Sequence, residues 1–305
     1  MRIGLVGCGK WGRYILRDLK ALNCYVSVAV PSAEGGAIAR GLGADQAVRS
    51  LDELPAVDGI VIATPTATHG KLVLEALESR NCPIFCEKPL TNNIDEAKQI
   101  VQRDRGRVFV MDKWRYHPGI QALRDIAHSQ EIGRSLGLRT ERLSWGLVHA
   151  DSDAAWVLLP HDLSIALEIS GQIPRPVSAH AESDSSGLMT LSAWLQGPVW
   201  MACEASLRFP GHQRVVELRC EGGIARLSNA YDRAIQILHT DRWIDSTTVP
   251  AWTHRAIGDE MPLLAELSAF IDYLRGGPPP RSSAVEGLRA VETIAELRAM
   301  AGLKN

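Results

Sequence analysis

Several features that would point to a specialised partner are missing from this sequence. No apolar run approaches the roughly 20 residues that a membrane span requires. No apolar leader with a cleavage site precedes the first strand-like segment at residue 2, so a secretory signal is not expected. Basic runs are also lacking: 33 Lys and Arg stand against 35 Asp and Glu, for a formal net charge of −2. Nucleic acid and anionic membrane surfaces are therefore not expected partners, and a highly phosphorylated substrate is mildly disfavoured. The six cysteines (Cys8, Cys24, Cys82, Cys86, Cys203, Cys220) show neither C-x-x-C nor His/Cys metal spacing. They imply a reduced cytoplasmic chain and no metal site. Cys82 and Cys86 flank one apolar segment, where small thiols commonly pack. At 305 residues the chain is long enough for two domains, each with its own core.

The most informative stretch is Arg2-Ile3-Gly4-Leu5-Val6-Gly7-Cys8-Gly9-Lys10-Trp11-Gly12. A short apolar run breaks into Gly7, Gly9 and Gly12. Beyond it Ile15, Leu16, Leu19 and Leu22 fall on one side of a helix. A strand, a G-x-G-x-x-G turn and a helix N-terminus in this order suit a dinucleotide. The first glycine permits the tight turn, the second lets backbone approach a pyrophosphate, and the third lets helix and strand pack closely. The helix's unpaired N–H groups would face phosphate oxygens. Cofactor contacts are expected from Gly7, Gly9, Lys10, Trp11 and Gly12.

Residues 25–30 read as a second parallel strand running into Pro31-Ser32-Ala33-Glu34. An acid at this tip would favour NAD, and a small or basic residue would leave room for a 2′-phosphate. Pro31 and Ser32 are candidate contacts, Glu34 reaches a ribose hydroxyl only if the turn folds back, and the cofactor is NAD or NADP. Further strands are expected at 47–48, 59–63, 83–86 and 107–111, with helices between them. This alternation predicts a doubly wound parallel sheet. Ligands of such sheets sit outside the carboxyl ends of the strands. Thr64-Pro65-Thr66 with His69, and Glu87-Lys88-Pro89, both fall there and are counted with the cofactor site. Lys88, partly desolvated, could donate a hydrogen bond to a substrate oxygen, with Glu87 orienting the ammonium.

From Ser135 the pattern changes to strands joined by short turns, several alternating apolar and polar residues. Strands are expected at 136–143, 176–182, 188–195, 199–207, 215–220, 225–228 and 235–238, with Glu221-Gly222-Gly223 as a hairpin turn. Pro160-His161-Asp162 reads as a helix start. That helix and another over 262–274 are expected to cover one face of this second sheet. The fold class is thus α/β: an N-terminal Rossmann domain (1–118) and a C-terminal α+β domain (119–305) with a large, mainly antiparallel open sheet. The closing helix, from Ala284, is expected to pack back on the first domain. The segment 146–160 has the length and polarity of a substrate-covering loop. Trp114 and Trp156 could stack on a sugar ring or pack in the core. Arg115 could bind a substrate hydroxyl, carboxylate or phosphate, or join an interdomain ion pair. His149 is expected on the loop surface.

Gly7-Cys8-Gly9-Lys10-Trp11-Gly12, Ala63-Thr64-Pro65-Thr66 with His69, and above all Glu87-Lys88-Pro89-Leu90 resemble the glucose–fructose oxidoreductase and inositol dehydrogenase (Gfo/Idh/MocA) family. The resemblance continues through Arg115-Tyr116-His117-Pro118, Ile132-Gly133-Arg134 and the tail around Phe270 and Gly276-Gly277-Pro278-Pro279-Pro280. It implies an NAD(P)-dependent oxidoreductase moving hydride between nicotinamide and a carbinol or carbonyl carbon of a sugar, polyol or nucleotide sugar. It further implies Lys88 as the group that polarises the oxygen, a cis Lys88–Pro89 bond and His161 as proton acceptor. A homodimer or homotetramer assembled through the C-terminal sheet also follows. The Pro160-His161-Asp162 form is similar to members of sugar-polymer or nucleotide-sugar pathways. Asp162 is a third candidate catalytic group, although a first-turn acid has a plain role against the helix dipole. The chain departs from the family at Val157, where an aspartate is usual four residues before the histidine. Asp162, Asp151 or Asp153 would have to substitute, or Lys88 and His161 suffice. The competing readings are a cofactor-binding sensor or partner module without redox turnover, and an imine or C=C reductase needing one proton donor.

Overall fold

The computed structural model describes residues 1–146, 153–184, 187–240 and 251–303. The chain divides into two compact units, Met1–Lys113 with Met261–Val291, and Trp114–Glu260 with Glu292–Asn305.

In the first unit, β1 (Arg2–Val6), β2 (Tyr25–Ala29), β3 (Gln46–Val48), β4 (Gly59–Ile62), β5 (Ile84–Glu87) and β6 (Val108–Met111) form one parallel sheet. Its order is β3-β2-β1-β4-β5-β6, which places the chain reversal between β1 and β4. β4, β5 and β6 are buried at every position, as continuous apolar runs covered on both faces should be. The connecting helices are α1 (Lys10–Ala21), α2 (Ala33–Gly41), α3 (Thr66–Ser79) and α4 (Ile94–Arg103). α2 starts at Ala33, where the Ser32 hydroxyl caps it by accepting from Gly35 N at 3.0 Å.

The second unit opens on a 3₁₀ turn, Lys113–Tyr116, then α5 (Pro118–Ser129), β7 (Ser135–Trp145) and α6 (Ala154–Ser170). β8 (Arg175–Asp184), β9 (Gly187–Gln196), β10 (Trp200–Ser206), β11 (Arg208–Cys220), β12 (Gly223–Leu227), β13 (Ala234–His239) and β14 (Thr253–Ala256) complete it. The eight strands run in the order β14-β13-β12-β11-β7-β10-β9-β8, antiparallel except where β7 pairs β10. α6 packs on β7, β9 and β10 and α5 on β11, β12 and β13, so both helices cover the same face.

Two sequence expectations are corrected here. α6 does not begin at Pro160 but at Ala154, where the Asp153 carboxylate accepts from Ala155 N and Trp156 N at 3.1 and 3.2 Å. Pro160 sits inside the helix, which is tolerated because α6 is buried on nearly every side and tertiary packing outweighs the lost backbone bond. The supposed loop is therefore helical from 154 onward, and its residues 147–152 lie outside the described ones.

α7 (Pro262–Leu274) does not cover the second sheet. It belongs to the first unit and packs on α1. Its Leu267 and Phe270 are fully buried there, Phe270 stacking on Phe85 with centroids 4.9 Å apart. Gly59 on β4 leaves room for this helix, since a Cβ there would meet the Phe270 ring at 3.0 Å. α8 (Ala284–Met300) is divided between the units at Val291, and within the first unit Gly287 lies against Leu90 and Val110. Phe270→Ala should therefore cost about 3–5 kcal/mol, measured by urea denaturation. A loss below about 1 kcal/mol would contradict a core position.

Candidate active site

The carboxyl edge of the parallel sheet collects three chain breaks. After β1, Gly7 takes φ +94°, and a Cβ there would lie 2.5 Å from the Ala63 carbonyl oxygen. Gly12 is equally constrained, 2.6 Å from the Gly7 oxygen. Both glycines are required by backbone packing. Gly9 is different: a Cβ there would meet nothing within 4 Å. Its bareness leaves open space over the N-terminus of α1, which has neither a side-chain cap nor an acid in its first turn. That is the arrangement a pyrophosphate needs, so the residues fit a dinucleotide. α3 also begins without a side-chain cap or first-turn acid, on Pro65.

The second and third breaks are tied by one side chain. His69, buried in α3, has Nδ1 2.8 Å from the Pro89 carbonyl oxygen and Nε2 2.9 Å from that of Thr64. His69, counted among the cofactor contacts from the sequence, has both ring nitrogens against the backbone of the two loops. The Thr68 hydroxyl adds bonds to the Thr64 hydroxyl at 2.8 Å and to the Pro65 oxygen at 2.7 Å. Thr64 and Thr66 are half-buried and Pro65 is exposed. The Lys88–Pro89 bond is cis.

Behind Lys88 lies a buried acid. Burial pushes the Glu87 carboxyl up to about 7, while Lys88 and then Lys113 pull it back. Trp11 hydrogen-bonds the same carboxyl, and Lys88 N donates to it at 3.1 Å. The Lys113 ammonium sits 4.3 Å from the centre of the Trp11 ring. Trp11 thus supports Glu87, whereas Lys10 is exposed beside it. Pro31 and Ser32 are exposed at the end of β2, where the Ser32 hydroxyl is engaged in capping α2.

Sequence reading missed Glu266. It lies on the buried face of α7 with Leu263, Leu267 and Phe270, and its Oε2 has no hydrogen-bond partner among the described residues. Burial holds its proton affinity well above the usual carboxylate range, reinforced by Glu87 and Asp112 and opposed by Lys113. An acid falling on an otherwise apolar helical stripe was the available signal.

In the second unit, His161 is half-buried on α6, with Val157 one turn before it on the same helix. Asp162, a candidate proton acceptor in the sequence, is completely buried. Its carboxylate is clasped by Arg142 through Nε at 3.1 Å and Nη2 at 2.9 Å. The carboxylate oxygens accept from that guanidinium, which fixes Arg142 beneath α6. Asp153 caps α6 and pairs with Arg298. Asp151 and His149 lie outside the described residues.

The three expected substrate contacts are likewise drawn into packing. Trp114 is buried, stacked on His117 at 5.0 Å and covered by Arg142 at 4.5 Å. Trp156 is buried near Arg298. Arg115 makes a buried ion pair with Glu168 at 3.0 Å inside the second unit. Glu168 also accepts from Gln121 and Arg124.

The buried acid behind Lys88 makes a stability prediction. Glu87 ionises near 4.5 when unfolded and near 7 in the fold, so between those values the native state holds a proton that the unfolded chain has released. Its contribution is fully present below the unfolded value and is lost as pH rises through the folded one. Denaturation midpoints of Glu87→Gln and wild type should diverge in favour of the variant between about pH 5 and pH 8, by on the order of 2 kcal/mol. A pH-independent difference would contradict the shift.

Comparison with known proteins agrees with these features. The family model described as "Oxidoreductase family, NAD-binding Rossmann fold" (GFO_IDH_MocA) matches residues 1–110. UDP-N-acetylglucosamine 3-dehydrogenase of Acidithiobacillus ferrooxidans is 31% identical over 204 residues, covering 64% of this chain and 63% of that relative. Inositol 2-dehydrogenase of Ralstonia nicotianae is 28% identical over 317 aligned positions, covering 95% of this chain and 90% of the relative. The solved complex of levoglucosan dehydrogenase with NADH and levoglucosan shares the fold, with a TM-score of 0.85 at 16% identity, covering 99% of this chain and 97% of that one. Residues 1–110 thus match the Gfo/Idh/MocA oxidoreductase family with its NAD-binding Rossmann fold, and over nearly its whole length the chain is similar to an inositol 2-dehydrogenase and shares the fold of its structural neighbours.

Proposed function

We propose that this protein transfers hydride between a nicotinamide dinucleotide, NAD or NADP, and a carbinol or carbonyl carbon of a sugar, polyol or nucleotide sugar. The observation that carries this reading is the carboxyl edge of the first sheet. Gly9 leaves a helix N-terminus bare, and His69 ties the Thr64 loop to the loop bearing Lys88. The dinucleotide, when bound, supplies the hydride acceptor or donor.

The chain's own residues do the rest. The Lys88 ammonium donates a hydrogen bond to the reacting oxygen and stabilises the negative charge that develops there. Glu87, held near half-ionisation at neutral pH, orients this ammonium without fully cancelling its charge. His161 takes the proton of the carbinol in oxidation and returns it in reduction, a task for which an imidazole is suited. Asp162 acts one step removed, by holding Arg142 against Trp114. His69 is a positioning residue, and the exposed Lys10 is available to the cofactor's phosphates.

The same proposal covers the surroundings. The face of the second sheet opposite its helices carries the Trp194–Trp200 stack, centroids 4.8 Å apart, and suits a homo-oligomeric contact. Among the described residues no helix is long and apolar enough to cross a membrane. Reduced cysteines fit a cytoplasmic enzyme.

Val157 favours a second reading, a cofactor-binding module without turnover, because valine neither accepts a proton nor orients an imidazole. Reduced-nicotinamide absorbance with a panel of polyols, free sugars and nucleotide sugars separates the two. Lys88→Met and His161→Asn should each lower kcat on the order of 10²–10⁴-fold, with cofactor affinity held within about threefold. Tight cofactor binding with no turnover of any panel member would overturn the proposal in favour of the module. Activity that survives His161→Asn but not Lys88→Met would indicate imine or C=C reduction.

A further inference from the structure

The second unit buries more positive than negative charge on the sheet face beneath α6. On β7 the alternate residues Thr140, Arg142 and Ser144 are buried. In the antiparallel register Arg142 stands directly opposite Arg214 of β11, and Ser144 opposite His212. Like charges at directly opposite positions repel, so this pairing requires compensation. Asp162 grips Arg142 bidentately and acts on Arg214 only through space.

Arg214 has no carboxylate partner among the described residues. Its Nη1 reaches the carbonyl oxygens of Leu143 and Gln213 at 2.6 and 2.7 Å, and its other N–H groups make no hydrogen bond there. Burial and then Arg142 hold its pKa down to about 10, against the opposing pull of Asp162 and Tyr231, so it remains a cation at neutral pH. His212 feels the same field: burial, Arg214 and Arg142 all lower its proton affinity. The Ser144 hydroxyl is buried without a hydrogen-bond partner among the described residues. A half-buried guanidinium, an imidazole and an orphaned hydroxyl on adjoining positions form a donor set for an oxyanion. Asp162 also links this patch to α6, adjacent in sequence to His161.

We propose that Arg214, His212 and Ser144 form an anion subsite that grips a carboxylate or phosphate oxygen of the substrate. The preferred substrate is then an acidic or nucleotide-linked carbohydrate, not a neutral polyol. The word substrate rests on the hydride-transfer reading; the subsite itself is testable by binding alone. Its charge escapes a reading of composition, because the two arginines lie 72 positions apart in sequence within a chain of net charge −2.

The test uses the full chain with its cofactor, and compares D-glucuronate and UDP-N-acetylglucosamine with their uncharged counterparts D-glucose and N-acetylglucosamine. Arg214→Met should raise KM for a charged member about tenfold or more, with kcat altered less than about threefold. KM for the uncharged members should stay unchanged, and Arg214→Lys should restore part of the loss. An effect on glucuronate alone assigns a carboxylate, and one on the nucleotide sugar alone assigns its diphosphate. In parallel, the His212 imidazole, assigned by NMR with His212→Asn, should titrate higher when glucuronate, UDP-N-acetylglucosamine or inorganic phosphate is added. That shift should vanish in Arg214→Met. Since His212 is exposed, His212→Asn serves as a second variant should Arg214→Met fold poorly, and should weaken binding of the same probes. Unchanged KM for both charged substrates, or calorimetric affinities for all three charged probes equal in wild type and variants, would overturn the subsite. Absence of turnover for every carbohydrate would overturn the hydride-transfer reading instead, while the binding measurements still decide the subsite.

Discussion

The edge of the first sheet depends on one imidazole. The side chain of His69 spans from the carbonyl that ends the β4 segment to the carbonyl of Pro89, just beyond Lys88. Two loops more than twenty residues apart in sequence, each following a different strand, are thereby held at a fixed separation. The adjacent glycine turn is set by the same neighbourhood, because Gly7 and Gly12 leave no room beside Ala63 and each other. A neutral imidazole donates to one of these carbonyls, so removing the ring would leave that carbonyl in need of a partner, at a cost of about 1–3 kcal/mol if it stays buried. It would also release the chain that presents Lys88. The Thr64 loop and the chain that presents Lys88 are thus joined through one packed histidine.

Both units keep ionisable groups away from water, and in each the imbalance falls where chemistry is proposed. In the first, Glu87, Glu266 and Asp112 are buried near Lys113, and mutual repulsion adds to burial in keeping the Glu266 proton bound. In the second, the imbalance is positive: one aspartate answers two facing arginines. The Glu168 carboxylate, by contrast, bonds directly to both of its arginines, Arg115 and Arg124. Unmatched buried charge is costly and is retained where it has a task.

Much of this was legible in the residue order, for identifiable reasons. The continuous apolar runs of β4 to β6 and the glycine spacing after β1 are local signals, and they correctly announced a doubly wound sheet. The change to alternating strands after Ser135 likewise announced the mainly antiparallel second sheet. α6 was misread because proline at a helix start and proline inside a fully buried helix look alike in sequence. Only the Asp153 cap, set by three-dimensional placement, distinguishes them. α7 was assigned to the wrong unit because an amphipathic pattern states that a helix is half-buried but not against what. Trp114, Trp156 and Arg115 carry side chains equally able to meet a sugar or a neighbour, and their neighbours are visible only after folding. The Arg142–Arg214 confrontation is set by strand register and could not be read from either segment alone.

The most direct measurement is the NADH affinity of His69→Leu, by fluorescence titration, alongside its far-ultraviolet circular dichroism. If His69 holds the cofactor edge together, the variant keeps its secondary structure and loses affinity about tenfold or more. A folded variant that binds NADH as tightly as wild type would contradict the account.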